Sequence, residues 1–111
     1  MKRFAQTLEL KDDPDLIAAY LREHEQVWPE VVRGLRAIGI RRLELFRQGN
    51  RLFMVCEVPD DFDPARDYPR YAADPRCREW DERMRRYQQQ VPGADPRSWW
   101  TPMQRVFELE S

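Results

Sequence analysis

Residues 3–10, RFAQTLEL, alternate so that Phe4, Leu8 and Leu10 share a face with Gln6, which predicts a half-buried strand. Lys11-Asp12-Asp13-Pro14 then reads as a helix start, an Asp cap followed by proline at the first helical position. Leu16, Ile17, Tyr20, Leu21 and His24 recur at helical spacing behind it. Trp28-Pro29 interrupts, because proline disfavours helix in the residue before it. A second helical piece opens at Pro29-Glu30, with Val31, Val32, Leu35 and Ile38 inward and Gly39 as its C-terminal cap.

Two strands follow, about 40–47 and 51–58, joined through Gln48-Gly49-Asn50 in a short hairpin turn. The acidic, proline-rich stretch 59–70 reads as a loop. Asp74-Pro75 begins another helix by the same cap-then-proline logic, with Cys77, Trp80, Met84 and Tyr87 on its apolar face and Pro92-Gly93 as its end. A last strand is expected over 103–109. The order β-α-β-β-α-β predicts an α+β, ferredoxin-like antiparallel sheet with its helices on one face. Strand 51–58 is apolar on both sides, Leu52, Met54, Cys56 and Val58 on one and Phe53 and Val55 on the other. A bare apolar sheet face seeks cover, so the pattern predicts a homodimer, two sheets back to back in a dimeric α/β barrel.

Composition adds limits. A chain of 111 residues is one domain, 1–111, with a core that needs no staples. Nineteen basic against twenty acidic residues give a net charge of −1, so no strong field recruits nucleic acid or a membrane surface. The chain has no apolar run of membrane-spanning or leader length, and a cytoplasmic location is the expectation. Cys56 and Cys77 have neither the number nor the spacing of a zinc site and read as buried free thiols. No metal and no cofactor is expected: phosphate loops, dinucleotide fingerprints and ligand clusters are missing from the sequence.

The chemistry gathers around the lone histidine. Tyr20 and His24, at i and i+4, share the helix face that looks toward the sheet. Imidazole titrates nearest neutrality, so His24 is the candidate proton donor. Four tryptophans, among them Trp28 one turn past His24 and Trp80 on the neighbouring helix, offer apolar walls of the kind that stack on a sugar's C–H face. Glu57, at the end of the apolar run FMVC, is a candidate carboxylate. Such a set suits proton transfer on a small polar ligand.

The sequence resembles the L-rhamnose mutarotase family. The likeness rests on Tyr20-x-x-x-His24 with Val27-Trp28-Pro29-Glu30, Gly39, Leu52-Phe53-Met54 running to Glu57, Asp74-x-x-Cys77-x-x-Trp80, and Gln104-Arg105-Val106-Phe107. The resemblance implies a dimeric ferredoxin-like enzyme that interconverts the α and β anomers of a monosaccharide. It implies His24 as proton donor, Tyr20 as a substrate-binding tyrosine, and Trp80 as the first of two adjacent tryptophans lining the sugar pocket. Two positions depart: Asp81 stands where the family has the second tryptophan, and Leu43 where it has a sugar-contacting tyrosine. The opening FAQTLELKDDP, Arg51-Leu52-Phe53-Met54, and Glu79-Trp80 with Tyr87-Gln88-Gln89 look more like the branch that acts on L-fucose, with L-rhamnose next.

The expected substrate-binding set is therefore Tyr20, Trp80, Asp81, Trp28 and Glu57, with Glu57, Asp81 or a water as the base. Two readings compete. A cofactor-free monooxygenase on the same barrel predicts a strongly apolar pocket, and a non-enzymatic ligand-binding barrel predicts no role for His24 in turnover.

Overall fold

The computed structural model describes residues 1–109. In chain order its elements are β1 (Lys2–Leu10), α1 (Pro14–Glu23), a 3-10 turn (His24–Gln26), α2 (Pro29–Ala37), β2 (Arg42–Gln48), β3 (Arg51–Val58), α3 (Pro64–Ala72), α4 (Pro75–Arg85), β4 (Gln88–Gln89) and β5 (Thr101–Met103).

The sheet runs β2-β3-β1, and the far side of β1 is shared by β4 at Glu9–Leu10 and β5 at Ala5–Thr7, all antiparallel. This is the expected ferredoxin-like order, with the fourth strand divided in two. Gln48 pairs with Arg51, so Gly49-Asn50 alone makes the hairpin turn, and Gly49 takes a φ of 57° that a side chain would resist. One sheet face carries Leu8, Leu10, Leu52, Cys56 and Val58, all at most 2% exposed, and the helices close over it. Both cysteines are free and buried, as expected.

Three of the four helix starts among the described residues follow a single rule. Asp13, Asp63 and Asp74 each cap the helix behind them by accepting main-chain N–H bonds, and each is followed by proline. Trp28-Pro29 opens α2 without a side-chain cap, and the bend it makes lets α2 run beside α4. The approach is close at Gly34: a Cβ there would lie 2.7 Å from Cys77 Sγ and 3.2 Å from the Tyr71 ring. Gly34 therefore costs helix propensity in exchange for tight packing of α2 on α3 and α4.

Three sequence expectations are corrected. Residues 59–70 are not all loop, since α3 begins at Pro64. Its buried Asp67 accepts the Asp63 N–H and bonds from Arg66 and Arg70, which fastens the first turn despite Pro69 inside the helix. The α4 helix stops at Arg85 rather than at Pro92, because Tyr87 N–H turns back to the Met84 carbonyl and the chain then pairs with β1. The last strand is Thr101–Met103 rather than 103–109. With Met103 opposite Ala5, a continued ladder reaches the first strand residue, Lys2, at Val106, and beyond it β1 offers no partner. No helix is long and apolar enough to cross a membrane among the described residues.

Candidate active site

Between the helices and the sheet lies a cavity of about 680 Å³, within the ordinary size of a small-molecule site. The sheet supplies its floor through Gln6, Met54, Leu43 and Leu45, which share one face. Tyr20 and His24 enter from the end of α1, Trp80, Asp81 and Arg85 from α4, and Tyr68 and Tyr71 from α3. Gln88 and Trp100 complete it from β4 and the segment before β5.

His24 stands at the point where α1 gives way to the 3-10 turn. Its Nδ1 lies 2.9 Å from the Tyr20 carbonyl oxygen, one helical turn back. A carbonyl can only accept, so Nδ1 carries a hydrogen and Nε2 is the nitrogen on which a proton comes and goes. The ring is wedged between aromatics: its centroid is 4.4 Å from that of Tyr20 and 5.5 Å from that of Trp80, the latter edge-on. The two groups expected to work together, Tyr20 and His24, are thus in contact inside a walled cavity. Tyr20 is buried, and burial pushes its phenol up to about 12, against the hydrogen bond from Gln88 that pulls the other way. It stays a neutral hydroxyl at physiological pH.

Trp28 does not line the cavity. Its ring meets Trp80 edge-on at 5.2 Å and carries the Arg76 guanidinium 3.9 Å from its centre, so it backs Trp80 and helps to hold the wall in place.

Glu57 does not join the site. On β3 it alternates with the cavity-facing residues and points from the opposite sheet face, beside Arg3 at 3.8 Å, in a separate cleft of about 310 Å³ with Arg42 and Glu44. The two-residue period of the strand decides this: Met54, Cys56 and Val58 face the helices, so Glu57 cannot.

Asp81 is in the cavity, where Tyr71 Oη donates to its Oδ1 at 3.3 Å. Burial pushes its carboxyl up to about 6, opposed by the Tyr71 hydrogen bond and by the nearby Arg85 charge.

Sequence reasoning missed the polar lining groups Gln6, Tyr68, Tyr71, Arg85, Gln88 and Ser98. Gln6 Nε2 donates to Tyr68 Oη at 3.3 Å, which leaves the Tyr68 hydroxyl hydrogen for a ligand. The signal for Gln6 was present, a polar residue in the middle of an apolar strand face. The tyrosines were hidden by reading their helix as loop. The walls are mostly aromatic and aliphatic, and set among them are an imidazole, a carboxyl and three phenols that can hold a polar ligand.

Fold and cavity together define an α+β, ferredoxin-like enzyme that moves protons on a small polar molecule. The chain belongs to the L-rhamnose mutarotase family, whose model matches residues 3–109, and it is an isomerase of that kind. It is 45% identical to an L-fucose mutarotase of Xanthomonas campestris pv. campestris, over 98% of this chain and 89% of that one. An L-rhamnose mutarotase of Mannheimia succiniciproducens is 30% identical over 88% of this chain and 90% of its own length. Among solved structures, L-rhamnose mutarotase from Formosa agariphila superposes with a TM-score of 0.71 at 25% identity, covering 99% of this chain and all of that one.

Proposed function

We propose that this protein interconverts the α and β pyranose anomers of a 6-deoxy-L-hexose, L-fucose before L-rhamnose. The observation that carries the reading is the His24 ring, held through Nδ1 with Nε2 left for exchange, in a cavity beside a neutral phenol and an indole wall. The greater identity to an L-fucose enzyme than to an L-rhamnose one favours L-fucose.

Opening the hemiacetal breaks the C1–O5 bond. His24 gives a proton from Nε2 to the ring oxygen as the anomeric hydroxyl passes one to a base, Asp81 or a water, leaving an open-chain aldehyde. Rotation about C1–C2 presents the other carbonyl face, O5 attacks, its proton returns to His24, and the new anomeric hydroxyl regains its own. Tyr20 donates to or accepts from a ring hydroxyl, Trp80 covers the apolar C–H face, and Asp81 binds a hydroxyl on the other side. General acid–base help of about 10²–10⁴-fold suffices, because the reaction also proceeds unaided in water.

The same reading includes a homodimer. The outer sheet face holds Phe53, Val55 and the half-exposed Phe46 and Met103, and Val106, Phe107 and Leu109 beyond it are each more than three-quarters exposed. A two-fold partner is the natural cover for both. Buried free thiols fit a reducing, cytoplasmic compartment.

The test is magnetisation-exchange NMR on L-fucose, L-rhamnose and galactose. Transfer between anomer signals that depends on the protein, strongest with L-fucose and lost in His24→Ala, is the expected result. No transfer with any aldose, or transfer unchanged in His24→Ala, overturns the proposal.

A further inference from the structure

We propose that Asp81, aimed by Tyr71, is the second proton-transfer group, taking the proton from the anomeric hydroxyl while His24 serves the ring oxygen. The inference rests on the mutarotase reading above and supplies the partner that reading leaves open.

The geometry comes from adjacency on a helix. Successive residues of α4 project about 100° apart. Trp80 turns toward α1, where its ring meets His24, and Asp81 turns toward α3, where it accepts from Tyr71 Oη at 3.3 Å. A pyranose lying against Trp80 therefore has the imidazole on one flank and the carboxyl on the other. Among the groups lining the cavity Asp81 is the carboxylate, since Glu57 faces away through the sheet. The phenols are poor bases here: burial pushes Tyr20 and Tyr68 up to about 12, and Tyr71 higher still.

Tyr71 leaves Asp81 one committed oxygen and one free. Its hydroxyl occupies Oδ1, so Oδ2 accepts from a ligand. Partial burial makes the carboxylate more basic than an ordinary aspartate while leaving it mostly ionised at neutral pH. In the opening step C1–O5 breaks, O5 receives the His24 proton, and the O1 proton passes to Oδ2. Closure on the opposite face returns both, so the cycle balances without any co-reactant. Tyr71 touches no reacting atom and is a positioning residue. The charged and titratable groups around Asp81 are Tyr68 and Tyr71 of α3, Cys77 and Arg85 of α4, and His24 and Tyr20 across the cavity.

Anomer exchange of L-fucose measured from about pH 5 to 8 tests this, on wild type, Asp81→Asn and Tyr71→Phe, with circular dichroism confirming that each is folded. Asp81→Asn is isosteric and still accepts the Tyr71 bond. It should lose about 10²-fold or more in kcat with KM little changed. Tyr71→Phe removes a bond that favours the ionised carboxyl, so the acid limb of the wild-type profile should move to higher pH. A wild type that turns over L-fucose alongside an Asp81→Asn within about threefold of it, or a Tyr71→Phe whose acid limb stays in place, overturns the role of Asp81 alone. A wild type inert toward every aldose overturns the mutarotase reading and this one together.

Discussion

The hydrogen bond from His24 to the Tyr20 carbonyl chooses a tautomer as well as a position. Neutral imidazole in water favours the Nε2–H form, so the Nδ1–H form here is imposed by the helix end. Long-range ¹H–¹⁵N correlation spectra of the neutral ring should show Nδ1 carrying the hydrogen and Nε2 bare. A neutral ring observed as the Nε2–H tautomer contradicts this. Asp81 carries the opposite kind of signature. Its carboxyl is raised in the native state, so the native protein takes up a proton between about pH 6 and the ordinary aspartate value that the unfolded chain does not. The ionised side chain is therefore a liability above that window, relieved as pH falls through it. Thermal melts should show Asp81→Asn more stable than wild type by about 1–3 kcal/mol at pH 7, the gap closing toward pH 4. A residue whose removal strengthens the fold while weakening turnover has been kept for chemistry.

At the level of elements, the sequence was most legible where one physical rule governed one local choice. Asp-Pro at 13–14 and 74–75 located two helix starts, and period-two alternation placed β1 and β3 with their faces correct. The same rule was present at Asp63-Pro64 and was overridden by the acidic, proline-rich composition of 59–70, so α3 and its two cavity tyrosines were missed. Its stability depends on Asp67, which local propensity does not reveal. The guanidiniums of Arg66 and Arg70, with the Asp63 N–H, hold that carboxyl well below the usual range. A depressed native value means stability that is present above the ordinary aspartate range and lost as pH falls below it. Asp67→Asn should lower the melting temperature at pH 7, and the difference should vanish in strong acid. Equal melting temperatures at pH 7 tell against the role. Glu57 was misjudged for the converse reason: the apolar run before it drew attention to its carboxylate, but its parity on β3 puts it on the outer face, half-buried beside Arg3. Leu43 does line the cavity, and two of the phenol hydroxyls there come from α3, on Tyr68 and Tyr71.

For the whole molecule, the outer sheet face and the C-terminal run make one question. Val106 is 89% exposed and Phe107 76%, on a segment tied to its own sheet through the Arg105 guanidinium and the Arg3 carbonyl. Those side chains find no seat in a lone chain. Light scattering should give a dimer at micromolar concentration, and Phe46→Asp combined with Phe107→Asp should shift it to monomer. A wild-type monomer contradicts the barrel. The charges that line the outer cleft, Arg3 and Arg42 with Glu44 and Glu57, include both signs, as a patch that meets its own copy requires. That face supplies no cavity-lining residue, so the double variant should keep a measurable turnover if each protomer stays folded.

The missing side chain at Gly34 reaches further than its own helix. Sulfur at 77 and the ring at 71 already fill the volume a methyl group would claim there, and that ring is the one hydrogen-bonded to Asp81. Crowding the crossing should therefore be felt as misaimed catalysis, a distant cause with a chemical symptom. Gly34→Ala is expected to cost about 1–3 kcal/mol by overpacking and to slow anomer exchange. Trimming the obstructing thiol with Cys77→Ala in the same chain should recover part of both losses, which ties room between two helices to the placement of a proton acceptor.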